Sequence, residues 1–166
     1  MERLEQVKSK IIPRDRIHKQ CNTWRFLNRK IVFTNGCFDI LHLGHAEYLC
    51  KAADLGNVLV IGLNSDRSVK QIKGEGRPIN PENARATLLA SLSYVTAVVF
   101  FDEETPYELI RQIQPDILVK GADYRVEEIA GHDLVLARGG KVVTIPLTEG
   151  YSTTDLITRL PGRPAT

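Results

Sequence analysis

Residues 31–53 read IVFTNGCFDILHLGHAEYLCKAA, and this stretch decides the fold. Ile31-Val32-Phe33 is a short apolar run suited to a buried strand. Ala46, Leu49, Cys50 and Ala53 fall at i, i+3, i+4 and i+7, which is one face of a helix. Gly56 is placed to end that helix. Between strand and helix lies FTNGCFDILHLGH, with His42 and His45 on either side of Gly44 in a chain that has four histidines. A strand passing through a short loop into a helix is half of a β-α-β unit.

The same alternation continues along the chain. Val58 to Leu63 is apolar throughout, as a strand covered on both faces should be. Val69 to Gly76 is basic and contains glycine, and reads as a loop. Asn80-Pro81 is a helix start, with Asn80 as cap and Pro81 in the first helical position, running to about Tyr94. Val95 to Phe101 is the next strand. Thr105-Pro106-Tyr107-Glu108 has the form of a capping box ahead of Leu109, Ile110 and Ile113. Ile117-Leu118-Val119 and Val142 to Ile145 are further strands, and Ser152 to Asp155 resembles a cap before Leu156, Ile157 and Leu160. Repeated strand-then-helix units with short links predict one doubly wound α/β domain of about five parallel strands, covered by helices on both faces. Residues 1–28 form a helical lead-in with Ile17, Cys21 and Trp24 on one face. Residues 29–160 form the main domain, and 161–166 a disordered tail.

Composition narrows the function. At 166 residues, 43% hydrophobic and 25% charged, the chain can bury a core without staples. A formal charge of +2 gives no reason to expect a nucleic acid or a membrane as partner. Cys21, Cys37 and Cys50 contain no C-x-x-C, which fits reduced thiols in the cytoplasm. The polar opening residues do not resemble a secretory signal. No apolar run approaches the roughly 18 residues of a spanning helix.

In a parallel sheet, ligands lie beyond the carboxyl ends of the strands, so the segments after each strand carry the function. There is no G-x-G-x-x-G and no P-loop. In their place, a helix start near Gly44 offers free backbone N–H groups, Gly44 lets a phosphate approach, and His42 and His45 add donors. That arrangement suits charge building on a phosphoryl oxygen. One capping and one packed histidine is the plainer alternative. A zinc site would need more ligands at matching spacing than His18 and His132 supply.

GCFDILHLGH resembles the G-x-F-D-x-x-H-x-G-H signature of the cytidylyltransferase-like nucleotidyltransferases. Glu149-Gly150-Tyr151-Ser152-Thr153-Thr154 is similar to that family's second signature, a Gly-x-Ser-Thr-Thr segment that holds nucleotide phosphates. FFDEETPYELIRQIQPDILVKGADY resembles the D-glycero-β-D-manno-heptose 1-phosphate adenylyltransferases, and the likeness covers roughly residues 30–160. Two positions depart from the wider pattern. Leu147 stands where glycerol-phosphate cytidylyltransferases carry arginine, and Cys37 where many relatives carry threonine.

The resemblance implies nucleotide contacts at Asn35, Gly36, Cys37, Phe38, His42, Gly44, His45, Lys120, Gly121, Asp123, Tyr151, Ser152, Thr153 and Thr154. It implies His42, His45, Lys73 and Arg85 as catalytic residues on the phosphates; Asn64, Asp66 and Arg77, by their place after the second strand and in the loop that follows, are candidate substrate contacts together with Asp39, which could instead position the metal. Each has an ordinary reading too: Lys120-Gly121 as a surface turn, Lys73 and Arg77 in a solvated loop, Arg85 snorkelling along an apolar stripe, Asp39 holding its own loop. No protein-held metal is expected, and Mg²⁺ should ride on the nucleotide phosphates. The implied reaction is ATP plus the heptose 1-phosphate giving ADP-heptose and pyrophosphate, in a cytoplasmic homodimer. The alternatives are a cytidylyltransferase acting on ethanolamine phosphate or an alditol phosphate, and a catalytically idle nucleotide-binding module.

Overall fold

The computed structural model describes residues 2–148 together with 150, 151, 153 and 157. Five strands, β1 (Ile31–Gly36), β2 (Val58–Asn64), β3 (Ala97–Phe101), β4 (Ile117–Gly121) and β5 (Lys141–Ile145), form one sheet in the order β3-β2-β1-β4-β5. Every pairing is parallel. The helices are α1 (Arg3–Lys8), α2 (Arg14–Phe26), α3 (Leu43–Ala53), α4 (Asp66–Lys73), α5 (Glu82–Ser91), α6 (Tyr107–Ile113) and α7 (His132–Ala137).

Alternation along the strands sorts the core into two layers. Ile31, Phe33, Val58, Val60, Val99 and Leu118 pack with Ile17, Cys21 and Trp24 of α2 and with Leu109, Ile110 and Ile113 of α6. Val32, Leu59, Ile61, Leu63 and Val119 pack on the opposite face with Leu49 and Ala52 of α3 and Leu89 and Ala90 of α5. The lead-in therefore contributes core. Its Ile11 also bridges Val98, so it flanks the outer edge of β3.

Four local expectations change. Val69–Gly76 is not a loop: Asp66 to Lys73 is helical, because Ser65 caps it by accepting from Ser68 N and Val69 is buried beneath it. The chain leaves the helix at Gly74, Glu75 and Gly76, where the two glycines take φ of 89° and 81°. Helix α5 begins at Glu82, after an extended Pro81, and stops at Ser91. Asn80 does not cap it, because its side-chain amide donates to the Asp39 carbonyl at 2.7 Å. The capping box at Thr105 does not form: α6 starts after Pro106 with no side-chain cap. Helix α3 already ends at Ala53. Gly56 serves packing instead, since a Cβ there would lie 2.6 Å from Val32 Cγ2 and 2.8 Å from the Lys30 carbonyl. The proposed cap at 152–155 and the tail from 161 lie outside the described residues, apart from Thr153, which is helical.

Candidate active site

The sheet order reverses direction between β1 and β4, which is where an open α/β sheet leaves a crevice. Pairing here is short. Val32 and Phe33 pair with Ile117 and Leu118, whereas β1 and β2 pair from Ile31 to Gly36. Beyond Phe33 no ladder bridges β1 and β4, and Asn35-Gly36 faces Lys120-Gly121 across the opening.

Helix α3 begins at this crevice. His42 is its cap: Nδ1 accepts from the backbone N–H of His45 at 3.3 Å. With Nδ1 an acceptor, the neutral ring carries its proton on Nε2, which is the free donor. The His45 ring stacks on it, centroids 3.7 Å apart and planes 21° from parallel. Phe38 meets His45 edge-on at 5.1 Å. Burial pushes the His45 pKa down to about 4, helped by His42, with the Ile40 backbone acting the other way. Burial also lowers His42. Both rings are therefore neutral donors at pH 7. Among the described residues, two buried side-chain polar atoms lack a partner, Asn35 Oδ1 and His45 Nδ1. Such orphans cost roughly 1–3 kcal/mol each unless something binds there.

Around this centre the predicted residues divide. Burial raises the Cys37 thiol, against the lowering influence of Lys73, Arg85 and Arg77. Lys73 is exposed at the end of α4 and free to turn toward a ligand. Lys120 lies 5.3 Å from the Tyr124 ring. Burial lowers its pKa, opposed by Asp123 and Cys37. A Cβ on Gly121 would fall 2.4 Å from Asp123 Oδ1, so the Asp123 carboxylate folds back over Gly121. A Cβ on Gly44 would lie 3.2 Å from the His42 ring and 3.3 Å from Tyr151 Cβ, so the second signature sits against the first. Ser152 and Thr154 lie outside the described residues.

Five of the expected contact residues, Asp39, Arg77, Asn64, Arg85 and Asp66, are engaged with other parts of the protein in this structure. Asp39 is 2% exposed, and its carboxylate accepts from Ile79 N at 2.8 Å, Asn80 N at 2.9 Å and Arg77 Nε at 2.6 Å. It holds a loop, and Arg77 is bound to it. Asn64 is buried and donates to Ser68 at 2.9 Å. Arg85 is fully buried, with Nε on the Asn80 carbonyl, Nη1 on the Cys37 carbonyl and Nη2 on Asp66. Neither it nor Asp66 is free to contact a phosphate in this arrangement. One contact escaped the sequence: Thr148 donates to Glu47 of α3 at 2.5 Å. No local pattern signals a pair so far apart in the chain.

A 590 Å³ groove also exists, lined by Lys30, Asp116 and Lys141. It lies at the amino ends of β1, β4 and β5, opposite the histidines, and holds none of these residues.

An all-parallel sheet with a paired-imidazole helix start at its switch point defines a Rossmann-like nucleotidyltransferase fold. The model of the cytidylyltransferase-like family matches residues 33–159, and the chain belongs to that family. It is 54% identical over 153 residues to the bifunctional protein HldE of Wolinella succinogenes, covering 92% of this chain and 31% of that protein. The HldE of Caulobacter vibrioides is 52% identical over 151 residues, again 91% of this chain and 31% of the relative. The chain thus spans about a third of the length of the curated relatives it matches. Among solved structures, the lipopolysaccharide core biosynthesis protein from Thermoplasma volcanium is similar with a TM-score of 0.58 and 28% identity, over 72% of this chain and 97% of that one. The pantoate-beta-alanine ligase from Francisella tularensis shares the fold, at a TM-score of 0.62 and 16% identity, over 89% of this chain and 76% of that one.

Proposed function

We propose that this domain transfers AMP from ATP to D-glycero-β-D-manno-heptose 1-phosphate, forming ADP-heptose and pyrophosphate. The observation that carries this reading is the pair of buried, unpartnered atoms, Asn35 Oδ1 and His45 Nδ1, on the segment that leads from β1 into α3. A bound polyphosphate and nucleoside would satisfy both. The likeness to HldE proteins and to a lipopolysaccharide core biosynthesis protein supports the choice of acceptor.

In this mechanism an oxygen of the sugar phosphate attacks the α-phosphorus of ATP, and pyrophosphate departs in line. The acceptor is already ionised near neutral pH, so no strong base is required. Positioning and charge stabilisation do the chemistry. His42 Nε2–H and the neutral His45 ring donate to phosphate oxygens as charge moves toward the leaving group. Lys73 and Lys120 bring positive charge, and the segment around Tyr151 and Thr153 adds the second helix start. Leu147 is half exposed and would lie 3.4 Å from a Cβ on Gly121. It gives this wall of the crevice an apolar surface in place of a cation.

Among the described residues no three of His, Cys, Asp and Glu converge on a cation site, and Asp39 is occupied by Arg77, Ile79 and Asn80. The residues fit Mg²⁺ only as an ion brought in on the phosphates, where it would neutralise their charge. A homodimer in the cytoplasm belongs to the same reading. No helix among the described residues is long and apolar enough to cross a membrane.

The test is a pyrophosphate-release screen crossing ATP and CTP with heptose 1-phosphate, ethanolamine phosphate and alditol phosphates. Turnover with ATP and the heptose phosphate is expected. Preference for CTP would select the cytidylyl alternative, and nucleotide binding without release would select an idle module.

A further inference from the structure

We infer that Arg85 acts on the chemistry at one remove: with Asp39 it holds Phe38 in a left-handed turn whose ring orients His45. This rests on the transfer reaction proposed above.

Phe38 has φ of 44°, a region that side chains other than glycine enter only when their surroundings compel it. Glycine or asparagine would take this turn more easily, so the ring has a reason to be there. Phe38 is 6% exposed, folds back over Gly36 and meets His45 edge-on at 5.1 Å. A Cβ on Gly36 would lie 2.9 Å from the Phe38 ring. The turn is gripped on both sides. Before it, the Cys37 carbonyl accepts from Arg85 Nη1 at 2.6 Å. After it, the Asp39 carbonyl accepts from Asn80 Nδ2 at 2.7 Å, and the Asp39 carboxylate from Ile79 N, Asn80 N and Arg77 Nε.

Arg85 is suited to this grip by its shape. Its three nitrogens reach three segments: the Cys37 loop, Asn80 at 3.0 Å ahead of α5, and Asp66 at 2.7 Å at the start of α4. Lysine keeps the charge but has one nitrogen and no planar fork, so it cannot join all three. The ring of Phe38 then limits how far His45 can rotate away from His42. Arg85 is a positioning residue, and its influence on the phosphates passes through Phe38.

Arg85→Lys separates this role from direct phosphate binding. Positioning predicts that kcat falls by about 10²-fold while the KM for ATP stays within about twofold, as a small displacement of a reacting group would give. It also predicts that the His45 Cε1–H resonance of the ligand-free protein moves, with His45→Asn assigning the signal. A phosphate-binding arginine predicts a raised KM for ATP with that resonance unmoved, and this result would overturn the inference. Phe38→Leu should lower kcat by a similar factor. The double variant should be no slower than the slower single one, because both act on one contact. Wild-type kcat in Phe38→Leu would equally overturn it. If Arg85→Lys does not fold, Asp66→Asn, which removes only the ion-pair partner of Arg85, is read by the same two signals. Absence of pyrophosphate release by the wild type with every acceptor would defeat the transfer reaction alone, because the resonance still reports whether Arg85 sets the His45 ring.

Discussion

The Thr148 hydroxyl donates to the Glu47 carboxylate at 2.5 Å, joining positions 101 residues apart. Glu47 lies on α3 just beyond His45, and Thr148 leads into the Gly-x-Ser-Thr-Thr segment. This bond therefore ties α3 to the stretch of chain that runs on to Tyr151, whose Cβ lies against Gly44. Thr148→Val removes the donor and leaves a half-buried carboxylate without its partner. The bond is already present without ligand, so its loss should lower the melting temperature by about 2–4 °C per kcal/mol lost. Nucleotide affinity measured by calorimetry should also fall, because the segment that meets Gly44 is no longer tied to α3.

His45→Ala removes a ring whose Nδ1 has no partner in the ligand-free protein. Folding loses only the contacts with His42 and Phe38, so the variant should fold normally. Pyrophosphate release should fall by roughly 10²–10³ in kcat, as for loss of one donor aimed at developing charge.

Gly44→Ala sets stability against function. Alanine is favoured over glycine by about 1 kcal/mol in a helix interior, and by less at Gly44, the second residue of α3. Here its methyl would press on the His42 ring at 3.2 Å and Tyr151 Cβ at 3.3 Å, both of which can yield slightly. Thermal melting should be unchanged or a little higher. ATP binding by calorimetry should weaken, because the space left for phosphate is filled.

Acid should destabilise the fold in two windows. Burial holds His45 at about 4, below its ordinary 6.5, so the unfolded chain binds more protons between those values. Stability is full above pH 6.5 and declines toward pH 4, by up to ~3 kcal/mol. Burial pushes the Asp39 carboxyl up, but hydrogen bonds from Asn80, Ile79 and Arg77 outweigh it and hold the group below its ordinary 3.8. Its contribution is present above that value and is lost as pH falls further. Urea titrations between pH 7 and 3 should show both steps, the second shared with Glu103, which its hydrogen bond from Arg14 holds at about 2, and His45→Asn should flatten the first.

Asp39→Ala leaves Arg77 and two backbone N–H groups facing a buried gap. Removing one partner from a buried ion pair costs roughly 3–5 kcal/mol. Urea unfolding should register a loss of that size.

The strands were legible because a parallel sheet buries both faces, and Val58 to Leu63 carries that requirement as an unbroken apolar run. The helix at 66–73 was not. Its exposed Lys70 and Lys73 read as loop chemistry, and Val69 gained its apolar partners only when β2 was beneath it. Asn80-Pro81 had the right residues for a helix start, yet Asp39 competed for the Asn80 side chain and won. In the site, His42, Gly44 and His45 could be found because one turn of helix brings them together wherever it forms.

Local sequence was enough for the alternation of strand and helix, the parallel sheet, and two imidazoles at the first strand-to-helix junction. Each depends on residues within one turn or one strand of each other, and local sterics and burial act at that range. Long-range packing was needed for Arg85 and Asp39 to brace the loop, for Glu47 to meet Thr148, and for His45 to be buried with Nδ1 unpartnered. Those outcomes depend on which distant groups packing brings within hydrogen-bond reach and on how completely it removes water, and no local pattern carries either.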